Sequence, residues 1–348
     1  RYITFTTCGV SMAKPDISRV TLVGAGVAGL TIATELVSRG IIPQIIDRAP
    51  EPGPQSCSWW AGGMLAPYCE SESAEEPVVR LGSKAADWWQ KHTQLVHRKG
   101  TLVLAMPRDR AELRRFAQLT SAFQPVNEAQ INALEPDLEN RFTQGLYYAD
   151  EAHLAPRHAI QTLRQQLAEK GVHFMVDDAD IAALATEGTV IDCRGTKARP
   201  DVHGLRGVKG EMLILKCPEL QFQRPIRLLH PRIPLYIVPR GDGVFMLGAT
   251  QIESEASSHP TVRSVMALLN AAYAISPCFA EADILEIGVD SRPAFSNNLP
   301  QIHRCGNVIR ANGLYRHGFL LAPALAEMVA NYLIHNEEPE WLTVNPES

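Results

Sequence analysis

The feature that most constrains this chain is the run Val20-Thr21-Leu22-Val23 followed at once by Gly24-Ala25-Gly26-Val27-Ala28-Gly29. An unbroken apolar and β-branched run reads as a strand covered on both faces, because a half-exposed strand would alternate. Leu30, Ala33, Leu36 and Val37 then recur at helical spacing up to Gly40, and Gln44 to Ile46 give a second strand ending in Asp47. The spacing predicts a β-α-β unit. In such a unit the first glycine permits the sharp turn, the second lets backbone approach a pyrophosphate, and the third lets helix lie close on strand. The free amides and partial positive charge of the helix N-terminus face the phosphates. Gly24, Ala25, Gly26, Val27, Ala28 and Gly29 are therefore expected dinucleotide contacts. Asp47 stands 21 positions beyond Gly26, with Arg48 next to it, where a carboxylate accepts from ribose hydroxyls and disfavours a 2′-phosphate. FAD or NAD is preferred over NADP.

A second segment separates those two. Ser58, then Ala61-Gly62-Gly63-Met64-Leu65-Ala66-Pro67, crowds small residues just beyond the unit, suiting a backbone that runs beside a large flat ring. With Trp59-Trp60 in front it is too apolar for a solvent linker, so FAD is favoured. Helices are predicted near Val78 to Arg98 and Arg108 to Ala122, and β-α alternation resumes with a helix Arg157 to Lys170 behind Pro156. Strands Val172 to Val176 and Thr189 to Asp192 follow. Glu211 to Cys217, Leu235 to Pro239 and Gly243 to Gly248 are β-rich, the last two forming a hairpin across Arg240-Gly241-Asp242. A helix Thr261 to Ile275, strands Ile284 to Asp290 and Asn307 to Arg310, and a closing helix Gly318 to His335 complete the chain. The expected fold combines α/β and α+β classes: a discontinuous Rossmann-type, glutathione-reductase-like FAD-binding domain (19–98, 155–206, 290–348) and a β-rich substrate domain (99–154, 207–289). Residues 1–18 are an N-terminal extension.

Composition narrows the partner. Net charge is -5, from 33 Lys+Arg against 38 Asp+Glu with the signs interspersed, which gives no footprint for nucleic acid or anionic lipid. No run reaches the roughly 18 apolar residues of a bilayer span, Val20 to Ala33 being the nearest. The seven cysteines are scattered and never spaced C-x-x-C, arguing against a disulfide framework or zinc knuckle and for a reducing cytoplasm. Residues 1–11 lack a secretory h-region, and Met12 is a candidate start. No metal is expected: His92 and His97, like His153 and His158, are five apart, and H-E-x-x-H is absent. G-x-S-x-G is absent too, and Cys57, Cys69 and Cys193 read as small buried hydrophobes. A small molecule is the expected partner.

Taken together, Val23 to Leu30, Ala61 to Pro67, Tyr236-Ile237-Val238-Pro239-Arg240, Leu247-Gly248-Ala249-Thr250, Asp290-Ser291-Arg292-Pro293 and Asn312 to Pro323 resemble, in this order, the D-amino-acid-oxidase-like flavoproteins. Within them the resemblance is nearest to glycine oxidase of thiamine biosynthesis, over Arg19 to about His335. It implies noncovalent FAD and oxidative deamination of a small amino acid (glycine, sarcosine or a small D-amino acid). Hydride would pass to flavin N5 and molecular oxygen would be reduced to H2O2. It places Arg292 on the substrate carboxylate, Tyr236 and Arg316 beside the substrate, and Met64 near the flavin face. Further cofactor contacts are expected at Leu65, Val176, Cys193-Arg194-Gly195, Gly313 and Tyr315-Arg316-His317-Gly318-Phe319-Leu320, with Arg292 also near the cofactor. A homo-oligomer is the family habit. Gln251 and His317-Gly318-Phe319 depart from the glycine-oxidase pattern.

Read by periodicity alone, Arg292 is a surface ion-pair residue and Tyr236 an ordinary strand aromatic. The order of the motifs is what moves both into a site. Chemically the scheme holds, since a planar guanidinium fixes a carboxylate by two parallel hydrogen bonds, and positive charge from Arg292 and Arg316 lowers a nearby amine's pKa. Two other readings stay open: a flavin-dependent amine dehydrogenase or maturation enzyme acting on a larger or protein-borne amine, and a flavin-binding protein without catalysis.

Overall fold

Gln44 to Asp47 lies parallel to one side of Val20 to Val23, and Thr189 to Asp192 lies parallel to the other. The computed structural model describes residues 15–230, 234–253 and 259–343. The first eleven residues, Cys8 and Met12 lie outside them.

In chain order the strands are β1 Val20–Val23, β2 Gln44–Asp47, β3 Met64–Leu65, β4 Thr101–Ala105, β5 Gln124–Asn127, β6 Gln144–Tyr148, β7 Ala152–His153, β8 His173–Val176 and β9 Thr189–Asp192. They continue with β10 Arg206–Lys216, β11 Ile226–Leu229, β12 Leu235–Gly241, β13 Val244–Gly248, β14 Ile252–Glu253, β15 Asp283–Ala294, β16 Gln301–Cys305 and β17 Val308–Asn312. The helices are α1 Val27–Ser38, α2 Pro67–Glu70, α3 Glu76–Gly82, α4 Ala85–Thr93, α5 Arg110–Leu119, α6 Glu128–Leu134, α7 Pro156–Glu169, α8 Ile181–Ala185, α9 Val262–Ile275 and α10 Gly318–His335.

One sheet runs β16-β17-β9-β1-β2-β8, with every pairing parallel except β16 on β17. All four residues of β1 are buried, as a central strand covered on both faces requires. Its core joins Leu22, Leu30 and Leu36 to Trp89 and to α10 through Leu321, Leu325 and Val329. That last helix is long and apolar enough to cross a bilayer, and the expectation had missed it in favour of Val20 to Ala33. Two thirds of it is buried inside the domain.

The second sheet runs β14-β10-β13-β12-β11-β4-β6-β5, with β15 paired along β10. It joins two distant chain segments at the parallel contact of β4 with β11. Alternation decides what each face of β4 meets: Leu102 and Leu104 join the core under α9, while Val103 and Ala105 pack with Phe116 of α5.

Several expected elements differ. The helix predicted across Val78 to Arg98 is two helices, α3 and α4. Gly82 ends the first where α10 crosses, and a Cβ there would lie 2.8 Å from Leu320 Cγ. The hairpin turn centres on Gly241-Asp242-Gly243, all with positive φ. A division at 289/290 falls inside β15, which pairs with β10 from Asp283 to Ala294 with one register shift, between Ile214 and Leu215 of β10. One strand thus carries the chain from the second sheet toward the first. Among the described residues Cys57, Cys69, Cys193, Cys217 and Cys278 are free thiols.

Candidate active site

One cleft of about 910 Å³ begins at the carboxyl ends of β1, β2 and β9 and continues between the two sheets. It lies at the upper end of the roughly 300–1,000 Å³ usual for ligand sites. Every residue named above as catalytic or cofactor-binding lines it except Gly29, Leu65 and Val176. Gly29 is packed under the glycine turn, where a Cβ would lie 1.9 Å from Gly24 O, so it sets helix-on-strand spacing and touches nothing in the cleft. Leu65 is turned into the first core. Val176 is 61% exposed, and it is the next residues of that strand end, Asp177 and Asp178, that reach the cleft.

The nucleotide end is made of backbone. Gly24 has φ +105, which a side chain tolerates badly, and a Cβ there would sit 2.7 Å from Cys193 O. Asp47 accepts from Ala25 N at 2.7 Å and from Ala49 N at 2.9 Å, which ties the glycine turn to the end of β2. Val27 N donates to Ser58 Oγ at 3.0 Å, joining the α1 N-terminus to the small-residue segment. That segment is held from the other side by Arg240, whose guanidinium donates to Gly62 O at 2.7 Å and to Leu154 O at 3.3 Å. Burial, with Arg157 close by, pulls the Arg240 pKa down to about 9.

The far end is made of side chains. Arg292 on β15 fills the space opened by Gly210 on β10, where a Cβ would lie 2.3 Å from its Nη2. Burial, and Arg316 nearby, hold the Arg292 pKa below the ordinary arginine value. Five arginines line the cleft. Arg48, Arg164, Arg194 and Arg316 each pair with a carboxylate. Among the described residues Arg292 has none and donates to Thr250 O at 3.1 Å. Tyr236 on β12 flanks it, its ring 5.1 Å from the Arg227 guanidinium and its hydroxyl held protonated by burial.

Arg316 and His317 are committed as well as exposed to the cleft. Both reach Glu70 Oε2, at 2.7 and 2.8 Å. Burial lowers the His317 pKa despite that partner, and its Nδ1 has no hydrogen-bond partner among the described residues. Glu70, Gly210, Met212 and Met246 were not anticipated. Only Gly210 left a trace, as a lone glycine inside an apolar strand, which marks close approach. The thiols of Cys57, raised to about 12, and Cys193 are kept protonated chiefly by burial, so neither is poised as a nucleophile.

Residues 19–332 match the FAD dependent oxidoreductase family. The chain belongs to that family.

The chain is 48% identical over 327 residues to a Rhizobium etli protein assigned as a thiamine biosynthesis oxidoreductase, ThiO, covering 92% of this chain and 98% of that one. It is 27% identical to a glycine oxidase of Pseudomonas aeruginosa, covering 92% and 96%. In fold it is similar to glycine oxidase from Geobacillus kaustophilus (TM-score 0.75, 23% identity, 92% and 95% covered). Iminodiacetate oxidase from Chelativorans sp. BNC1 is also similar (TM-score 0.77, 21% identity, 95% and 100% covered). The cofactor of the family, FAD, suits what the cleft offers: a glycine turn with no room for a Cβ, an aspartate at the second strand end, and a small-residue segment opposite it.

Proposed function

We propose that this FAD enzyme oxidatively deaminates a small amino acid, glycine, sarcosine or a small D-amino acid. The observation that carries the reading is Arg292, a cleft-facing guanidinium with no carboxylate partner among the described residues, at the end of the cleft remote from the dinucleotide turn. A buried cation left in that state calls for an anionic ligand.

What FAD supplies when bound is acceptance of a hydride at N5 and passage of the electrons to oxygen, giving H2O2. Arg292 receives the substrate carboxylate in two parallel hydrogen bonds and so orients the α-carbon. Its charge also favours the neutral amine, the form that can lose hydride from carbon. Met212, Met246 and Tyr236 line the same part of the cleft. Gly24 to Ala28, Asp47, Ser58, Gly62 to Met64, Arg194, Gly195 and Gly313 to Leu320 would hold the dinucleotide.

We place the reaction in thiamine biosynthesis, as the name of the Rhizobium etli relative suggests, in the cytoplasm and without membrane or nucleic-acid partners. Self-association is proposed through the face bearing Ile284, Leu285 and Ile287 on the outer strand β15, all exposed. The test of function is an anaerobic titration of the yellow holoenzyme with glycine, sarcosine and D-alanine, followed by admission of air. Bleaching of the flavin and its rapid return with peroxide are expected. Silence toward every small amine would overturn the proposal, and bleaching with sluggish return would assign a different electron acceptor.

A further inference from the structure

Two guanidiniums reach the substrate end of the cleft, and the chain treats them differently. Arg316 Nη2 lies 2.7 Å from Glu70 Oε2 and 2.7 Å from Ser73 Oγ. His317 Nε2 meets the same Glu70 oxygen at 2.8 Å, and Arg227 stands 3.9 Å from the other. Arg227 is itself matched by Glu72 at 3.1 Å. Burial works against charge on Glu70, yet Arg316, the His317 hydrogen bond and Arg227 outweigh it and hold its carboxyl well below the usual range. Two buried cations therefore face two carboxylates, while Arg292 donates to a backbone carbonyl and, among the described residues, has no carboxylate at ion-pair distance, Asp290 of the same cleft acting on it only from further away.

We propose that Glu70 is a specificity-determining residue: by cancelling the charge of Arg316 it leaves one uncompensated guanidinium in the cleft, and so admits amino acids with one carboxylate and excludes dicarboxylic amines. The inference rests on the reading that Arg292 receives the substrate carboxylate. Its physical basis is the cost of leaving a buried guanidinium unpaired, which a second carboxylate on the ligand would relieve. Glu70 lines the cleft, and its effect on the substrate is exerted through the charge of Arg316. It is a positioning residue acting through Arg316.

The experiment compares glycolate with malonate, unreactive acids bearing one and two carboxylates, on the holoenzyme. Dissociation constants are read by calorimetry and by perturbation of the flavin absorbance. Wild type is expected to bind glycolate at least tenfold more tightly than malonate. In Glu70→Gln the ratio shifts at least tenfold toward malonate, with glycolate affinity changed less than threefold. The double variant Glu70→Gln/Arg316→Gln, which removes both charges, regains the preference for glycolate. An unshifted ratio in Glu70→Gln, or a parallel loss of both ligands, overturns the inference. Should Glu70→Gln not fold, Glu70→Asp, which draws the carboxylate back from Arg316, decides: a ratio shifted toward malonate supports the inference and an unshifted one overturns it. Wild type that binds neither acid fails at the earlier step, the carboxylate role of Arg292, and takes this inference with it.

Discussion

The two ends of one cleft are built from different materials. At the nucleotide end the glycine turn and its anchor come from β1, α1 and β2, neighbours in sequence, with the end of β9 and the small-residue segment packed against them, and the groups offered at the turn are mostly backbone amides shaped by Gly24 and anchored by Asp47. At the substrate end they come from α2, β10, β12, β15 and the turn before α10, and the groups offered are side chains whose charges must be balanced against one another. Glu70 and His317 are in contact across 247 positions of chain. A backbone site is settled once its local turn is settled. A side-chain site depends on both sheets, and a single substitution can alter its chemistry while the fold persists.

Gly24→Val is the harshest way to break the nucleotide end. The new side chain needs a strained φ and collides with Cys193 O at 2.7 Å. FAD affinity is expected to fall more than 100-fold, about 3 kcal/mol, since left-handed strain and displaced backbone act together. Flavin content after gel filtration reads the loss, and a fully yellow variant would show that the turn does not set the cofactor. Arg292→Ala attacks the opposite end. Glycine affinity should drop about 30-fold, roughly 2 kcal/mol, because the carboxylate loses a charge-assisted pair of hydrogen bonds. FAD content is expected to be unchanged, and a joint loss of flavin and substrate would erase the separation between the two ends.

The same contrast explains what the amino-acid sequence made legible. The β1-α1-β2 unit could be read from pattern and spacing alone, because its strand, turn and helix are fixed by residues a few positions apart. The strands β4 and β11 were not read. Thr101 to Ala105 is an apolar run too short to separate strand from helix by period, and its parallel partner, Ile226 to Leu229, carries no hairpin signal pointing back to it. The break between α3 and α4 depends on where α10 crosses, which no local pattern at Gly82 reveals. Arg292 and Tyr236 were found through the order of family motifs, since strand alternation gives an arginine no reason to face a cleft. Glu70 was missed altogether: its meaning is an ion pair with a residue near the far end of the chain.

Asp47→Asn sharpens the comparison with a smaller change. The amide keeps one acceptor but loses the charge that grips Ala25 N at 2.7 Å, so FAD affinity is expected to fall about fivefold, near 1 kcal/mol. The KM for glycine at saturating FAD should stay within twofold. A larger effect on glycine than on FAD would mean that the nucleotide turn communicates with the substrate end.

Glu151 gives an effect that appears only as pH rises and is specific to the side-chain end. Its Oε1 accepts from Cys69 N at 2.7 Å, just before Glu70, while Oε2 is buried without a partner among the described residues. Burial pushes its carboxyl up to about 7, with nearby Glu70 adding to the shift. Between the ordinary carboxylate range and pH 7 the folded chain therefore holds a proton that the unfolded chain has released, and stability falls as pH rises through that window. Above it the contribution is level. Glu151→Gln keeps the acceptor for Cys69 N and removes the titration, so the variant should match wild type at pH 4 and exceed it by about 3 kcal/mol at pH 8. Urea midpoints measured across that range decide the matter. Identical slopes for both proteins would mean that the carboxyl ionises in place, and that the support beneath Glu70 is as indifferent to protonation as the glycine turn at the other end.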